Sequence, residues 1–300
     1  MSESSRGTRL QITAPRFDFR KLVLSHGWAF LPPFEWDDAR NRLARPLRLA
    51  SGRGVPISIS VAANDGRSVV GVRVESGPGL DPDERVEARA KIRRMLRLDE
   101  DFSSFHRLCA GDPALRFVAN ERCGGLLRAP TAFEDLVKTV CTTNCDWRNT
   151  KKMCAALCDL AGGSFPRPER LLSVSPRRLA KAAPVGYRAG TILVAARLFT
   201  EGRLDLDAWA TAGDFERVRE ALGAIRGVGP YCISHMLVLL GAYSEIPVDS
   251  EVLKYLRHTH FDGEAVEPPE ATKPYDKYGS FRFLAFKFSR MGRRLNYIDH

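Results

Sequence analysis

Four residues, Gly227-Val228-Gly229-Pro230, constrain this chain more than any other feature. Two glycines in three positions permit backbone conformations that other residues resist, and they let a second backbone approach closely. A proline directly after them suits the first position of a helix, where its missing N–H costs nothing. An apolar run follows, with Cys232, Met236, Leu237, Leu239 and Leu240. Phe215 to Leu222 precedes the turn with helical spacing. The pattern reads as a helix, a tight glycine turn and a second helix from Pro230 to about Leu240, ended by Gly241 at the C-cap. Backbone N–H groups at such a helix start attract phosphate. A turn that joins two helices and binds nothing fits the same four residues.

Ile246-Pro247-Val248-Asp249 then leads into a third helix, Ser250 to Leu256, with Asp249 at its N-cap. Aspartate is among the best N-caps, so capping alone would explain it. A rigid carboxylate beside a phosphate-gripping turn can also stabilise an oxocarbenium-like sugar and orient an attacking water.

The net charge of +10, with 46 Lys and Arg against 36 Asp and Glu, favours a polyanionic partner. No apolar run approaches a membrane span, and the first ten residues lack the apolar core of a secretion signal. A cytoplasmic location is expected, on the nucleoid in a bacterium or in the nucleus of a eukaryote. Seven cysteines, an odd number, argue against a disulfide framework. Cys141, Cys145, Cys154 and Cys158 repeat a C-x3-C spacing. A zinc site and four small buried thiols both fit it, and the helical apolar neighbours Leu136, Val137, Val140 and Leu157 favour the thiols.

The predicted fold is mainly α with an N-terminal α+β domain. Phe17 to Ser25 reads as extended. Ile57, Ile59 and Val61 alternate with serine, Asn64-Asp65-Gly66 supplies turn chemistry, and Val69 to Val74 returns, which signals a hairpin. Asp81-Pro82-Asp83-Glu84 opens a helix to about Leu96, and Thr131 to Glu134 forms a capping box. Further helices are expected from Pro176 to Ala182 and from Ile192 to Phe199, and an aromatic, basic segment closes the chain from Tyr278 to Leu295. The expected division places an α+β domain at 1–105 and a helical domain at 106–300.

Gly227-Val228-Gly229 with Val248-Asp249 resembles the helix-hairpin-helix and Gly/Pro…Asp motif of the base-excision DNA glycosylase superfamily. "VCTTNCDWR", Val140 to Arg148, and "VGYRAGTI", Val185 to Ile192, are similar to segments of its 8-oxoguanine branch. "FDFRKLVLSHGWAF", Phe17 to Phe30, is similar more loosely. The resemblance implies a helix-hairpin-helix glycosylase architecture acting as a monomer on duplex DNA that carries a damaged base, with no membrane. It implies Asp249 as the catalytic carboxylate. Gly227, Val228, Gly229 and Tyr231 would meet the DNA backbone. Asn144 would fill the gap left by a flipped nucleotide, Tyr187 would wedge beside it, and Arg188 would contact the opposite base. Gly27, Trp28, Tyr231, His235 and Phe281 would line the base pocket, although each of the aromatic and histidine side chains suits core packing equally well.

Two departures stand out. Bifunctional relatives carry a lysine where this chain has Tyr231, and tyrosine forms no Schiff base. Water is therefore the expected nucleophile, without strong lyase activity. Lys254 reads as a solvated or phosphate-facing charge. No cysteine follows Cys232, so no iron–sulfur cluster is expected; no cofactor is implied beyond a monovalent or divalent cation at the hairpin. The expected substrate is an oxidised or otherwise modified purine. Alkylated, deaminated or mismatched bases are the alternative, as is a non-catalytic protein that binds damaged DNA.

Overall fold

The structure, a computed structural model, describes residues 9–294. The chain divides into two compact units whose segments interleave. One joins the residues up to Glu100 with Gly125–Arg203, and the other joins Asp101–Gly124 with the residues from Leu204. The boundary expected near residue 105 lies beside the first crossing, but the chain returns to the first unit after Gly124 and leaves it again after Arg203.

The first unit opens with a five-stranded antiparallel sheet of β1 Arg9–Pro15, β2 Glu35–Asp37, β3 Arg42–Arg48, β4 Gly54–Asn64 and β5 Arg67–Val74, in the order β1-β5-β4-β3-β2. The expected hairpin is β4–β5. Asn64 pairs with Arg67 across a two-residue turn in which Asp65 and Gly66 both have positive φ, the conformation that matches strand twist. Phe17 to Ser25 is not extended: α1 spans Phe19–Val23. Asp18 caps it by accepting from the Lys21 N–H at 2.8 Å, and Phe19, Leu22 and Val23 are buried at helical spacing. Helix α2, Pro82–Leu96, carries a complete capping box between Asp81 and Glu84 and buries Ala88, Ile92 and Met95.

The remaining helices of this unit are α5 Ala132–Thr142, α6 Trp147–Asp159, α7 Pro168–Leu172, α8 Pro176–Ala182 and α9 Arg188–Thr200. The second unit holds α3 Ser103–Ala110, α4 Arg116–Asn120, α10 Leu206–Thr211, α11 Phe215–Gly223, α12 Pro230–Leu240, α13 Ser250–His260, α14 Pro268–Thr272 and α15 Arg282–Arg294. A 3-10 segment, Lys273–Phe281, leads into α15, and Leu295 of the expected closing segment lies outside the described residues. No helix of the described residues is long and apolar enough to cross a membrane. Cys141, Cys154 and Cys158 are buried in α5 and α6, and burial pushes the Cys158 thiol up to about 12.

Only half of the capping box expected at α5 forms. The Thr131 hydroxyl accepts from the Glu134 N–H, but the Glu134 carboxylate turns to the sheet. It receives both arms of Arg45 from β3, at 3.0 and 2.8 Å, and pairs with Lys138 at 2.7 Å. All three groups are buried. Burial alone would raise the Glu134 pKa; the two cations outweigh it and hold the carboxyl down at about 2. The neighbouring Asp135, fully buried, accepts from the Trp28 indole, the Ala129 N–H and Arg94, each at 2.8 Å.

A depressed folded pKa means that this stabilisation is complete above the unfolded value near 4.5 and is lost as pH falls toward 2. Glu134→Gln would leave two buried cations short of a partner, at a cost of about 3–5 kcal/mol. Thermal melting at pH 7 should show Tm lowered by about 10 °C, and the difference from the wild type should shrink when both are melted near pH 3. Equal destabilisation at both pH values would contradict the ionic account.

Candidate active site

The hairpin expected from the glycines is present. Helix α11 ends at Gly223, and Gly227 takes a left-handed φ of 92°. The Val228 N–H donates to the Ile225 carbonyl at 3.0 Å, and the Val228 side chain is buried. Gly229 is the N-cap of α12, with extended backbone and no side chain to cap it, and Pro230 occupies the first helical turn. The Gly229 N–H faces the Cys232 thiol, lowering a pKa that burial raises to about 11. The Val228 N–H is thus spent within the turn. Gly227 is the exposed corner.

Helix α12 places Tyr231 and His235 on one face, with stacked rings 5.8 Å apart. Burial, then the positive charge of Lys287, pushes His235 down to about 4, so the ring is neutral at pH 7. Gly241, at φ 114°, ends this helix as expected. Asp249 is exposed and caps α13, one carboxylate oxygen accepting from the Val252 N–H at 2.7 Å. Among the described residues the other oxygen accepts no hydrogen bond. Lys254 is exposed. Phe281 lies half-buried, its ring 5.5 Å from that of Phe105, and so serves the core of this unit.

A second group lies in the other unit. Thr143 caps the C-terminus of α5, and Asn144 follows in a left-handed conformation at φ 47°. The Asn144 amide donates to the Tyr187 hydroxyl at 3.4 Å. Tyr187 is 70% exposed and directly precedes α9. Arg188, expected to reach a base, is instead buried: its guanidinium donates to the Thr143 carbonyl and lies 4.6 Å from the centre of the Tyr187 ring. It braces the asparagine and the tyrosine as one projecting group.

Gly27 has φ 91°, and a Cβ there would lie 3.1 Å from the ring of Trp147. Trp28 is 1% exposed with its indole committed to Asp135, which overturns its expected place in a base pocket. Trp147, 40% exposed against Gly27, is the aromatic that sequence reasoning missed there. Lys287 on α15 was missed too: its charge lowers the His235 pKa, Asp249 raises its own, and no local pattern ties it to either.

No family model matches the chain. The N-glycosylase/DNA lyase of Saccharomyces cerevisiae is 25% identical over 260 residues, covering 79% of this chain and 67% of that protein. Among solved structures, a 3-methyladenine DNA-glycosylase from Archaeoglobus fulgidus aligns with a TM-score of 0.70 at 19% identity, over 96% of this chain and 99% of that one. An 8-oxoguanine glycosylase/lyase from Clostridium acetobutylicum, solved with double-stranded DNA, aligns with a TM-score of 0.69 at 17% identity over 99% of both chains. The chain shares the fold of these DNA glycosylases.

For the hairpin between α11 and α12 the turn conformation is the first requirement, and Gly227 carries it with its left-handed φ. Gly227→Ala forces a Cβ into the left-handed region, at a cost of about 1–2 kcal/mol. Gly190→Ala is the control, since a Cβ in that exposed helical position meets nothing within 4 Å. Melting curves should show the first variant lowered by about 3–6 °C and the second unchanged or slightly raised. Equal Tm values for Gly227→Ala and the wild type would remove the conformational argument.

Proposed function

We propose that the chain is a DNA repair glycosylase that flips a damaged base out of duplex DNA and hydrolyses its N-glycosidic bond. The observation that carries this reading is the Asp249 carboxylate, fixed by one oxygen to the start of α13 while the other accepts no bond among the described residues. Extrusion is required because a stacked base shields its glycosidic bond. The exposed Tyr187, braced by Arg188 and tied to Asn144, is a group that can enter the stack and replace part of the lost base contact. Gly227 at the exposed corner of the hairpin, with the start of α12, offers the DNA backbone a sequence-independent grip.

As the C1′–N bond lengthens, positive charge grows on the sugar, and the negative carboxylate of Asp249 stabilises it. The same carboxylate orients a water and takes its proton. Tyr231 stands on α12 stacked against His235, and neither phenol nor imidazole forms a Schiff base at that place. The nucleophile is water, and the product is an abasic site in an unbroken strand. A modified purine is the substrate class: the fold is shared with proteins named for 8-oxoguanine and for 3-methyladenine.

Labelled duplexes carrying 8-oxoguanine, 7-methylguanine, hypoxanthine, uracil or mismatched thymine test the reading. Strand cleavage should appear only after alkali treatment, and Asp249→Asn should slow base release at least 100-fold while abasic duplex still binds. Affinity for that duplex should fall steeply as salt rises. Cleavage without alkali would refute the hydrolytic step. Tight binding with no base released from any duplex would favour a damage-binding protein.

A further inference from the structure

Arg188 does not project to meet a base, and the groups it touches show what it does instead. Helices α5 and α9 lie antiparallel in the first unit. Phe133 and Phe199 meet at one end of the pair, ring centres 5.4 Å apart, and Thr143 and Arg188 meet at the other. Arg188 opens α9, and its backbone N–H donates to the Val185 carbonyl at 3.1 Å, closing the turn that carries Tyr187. Its side chain crosses to the C-terminus of α5, where the last carbonyls favour a cation. There Nη2 donates to the Thr143 carbonyl, and Nε donates to the Thr143 hydroxyl at 3.4 Å. That hydroxyl donates in turn to the Val140 carbonyl at 2.8 Å. One face of the guanidinium lies against the Tyr187 ring, 4.6 Å from its centre. Arg188 is 7% exposed, against 70% for Tyr187. Its donors and its plane are therefore occupied within the unit, and Tyr187 and the exposed Asn144 form the projecting surface.

We propose that Arg188 is a positioning residue and that base release does not select the base opposite the lesion, an inference that rests on the glycosylase reading. An arginine carries donors and no acceptor, so at a base edge it selects bases that present adjacent acceptors. The Watson–Crick edge of cytosine does so with O2 and N3. The edges of adenine, guanine and thymine each place a donor beside an acceptor. A free guanidinium at this place would therefore favour cytosine. Here it is occupied, and withdrawing it would strip the Thr143 carbonyl of a charged donor and uncover one face of Tyr187. The groups left to meet DNA carry no such code. A tyrosine ring stacks on any base. The Asn144 amide offers a donor and an acceptor together, so it can answer either kind of edge. Arg188 instead fixes the ring and the asparagine before DNA arrives, so that entry into the stack leaves little to order.

The experiment is single-turnover base release from duplexes that carry 8-oxoguanine, hypoxanthine or 7-methylguanine opposite cytosine, thymine, adenine, guanine or an abasic analogue. Wild type, Arg188→Leu, Arg188→Lys and Asp249→Asn are compared, with circular dichroism and melting to check that each variant folds. Melting of the same duplexes ranks the pairs. Wild-type rates should follow that ranking, slowest opposite cytosine, which pairs most stably with each of these purines. Arg188→Leu should lose about 100-fold opposite all four bases alike, because the projecting group is no longer held. The loss should shrink to under about ten-fold opposite the abasic analogue, where no pair has to open. Arg188→Lys keeps a donor for the Thr143 carbonyl but no plane for the ring, and should fall between. Wild-type release fastest opposite cytosine would overturn the proposal, and loss of that preference in Arg188→Leu would make Arg188 its reader. A change under about three-fold in both variants would also overturn it. So would a loss as large opposite the abasic analogue as opposite a base, which a merely structural role would give. The wild-type series decides the selectivity by itself if neither variant folds. Failure of the parent reading looks different: no purine would be released opposite any partner, or Asp249→Asn would release bases as fast as wild type.

Discussion

Two adjacent buried carboxylates at the start of α5 hold the first unit together. Glu134 binds Arg45 and Lys138, and Asp135 binds Trp28, Arg94 and the Ala129 N–H. Buried carboxylates are costly unless every lone pair is used, and here the helix N-terminus adds its own favourable field. The result fixes α5 against both the sheet and α2. That anchorage reaches the other end of the helix, where Thr143 and Asn144 leave it. A helix pinned at its first turn delivers its last turn to a defined place, so the asparagine and the tyrosine it meets stand on a rigid stem.

In the second unit, the role proposed for Asp249 builds on its observed one, the cap of α13. The cap hydrogen bond from Val252 fixes its direction, and the remaining oxygen keeps its acceptor capacity. A capping aspartate and a catalytic carboxylate are therefore not competing explanations: the cap supplies the preorganisation that electrostatic catalysis requires. The surroundings follow the same economy. His235 is kept neutral by burial and by Lys287, and Lys287 is kept readily ionisable by burial and by its arginine neighbours.

Local signals in the sequence were legible where the responsible interaction spans only a few residues. Asp65-Gly66 dictated the β4–β5 turn because both residues tolerate positive φ. Asp81 and Glu84 dictated the start of α2 because each caps the other's backbone. Thr131 promised the same at α5, yet Arg45, distant in the chain, offered Glu134 a stronger partner than a backbone N–H. Phe17 to Ser25 looked extended by composition, and the Asp18 cap with the i, i+3, i+4 burial of Phe19, Leu22 and Val23 made it a helix. Arg188 carries a motif that suggests an exposed contact, whereas the fold buries it against Thr143.

The sequence by itself determined the glycine hairpin, the capped helix that holds Asp249, the mainly α architecture after an antiparallel sheet, and the phenol rather than an amine at Tyr231. Each rests on backbone conformation or on chemistry within one short segment, and such rules need no distant partner. The tertiary structure alone decided that each unit is built from two separate segments of the chain, that Trp28 serves Asp135 rather than a ligand, and that the charge of Lys287 reaches His235. Those outcomes depend on burial and on charges brought together from far along the chain. Desolvation and Coulomb forces act through space, so the order of residues does not reveal them.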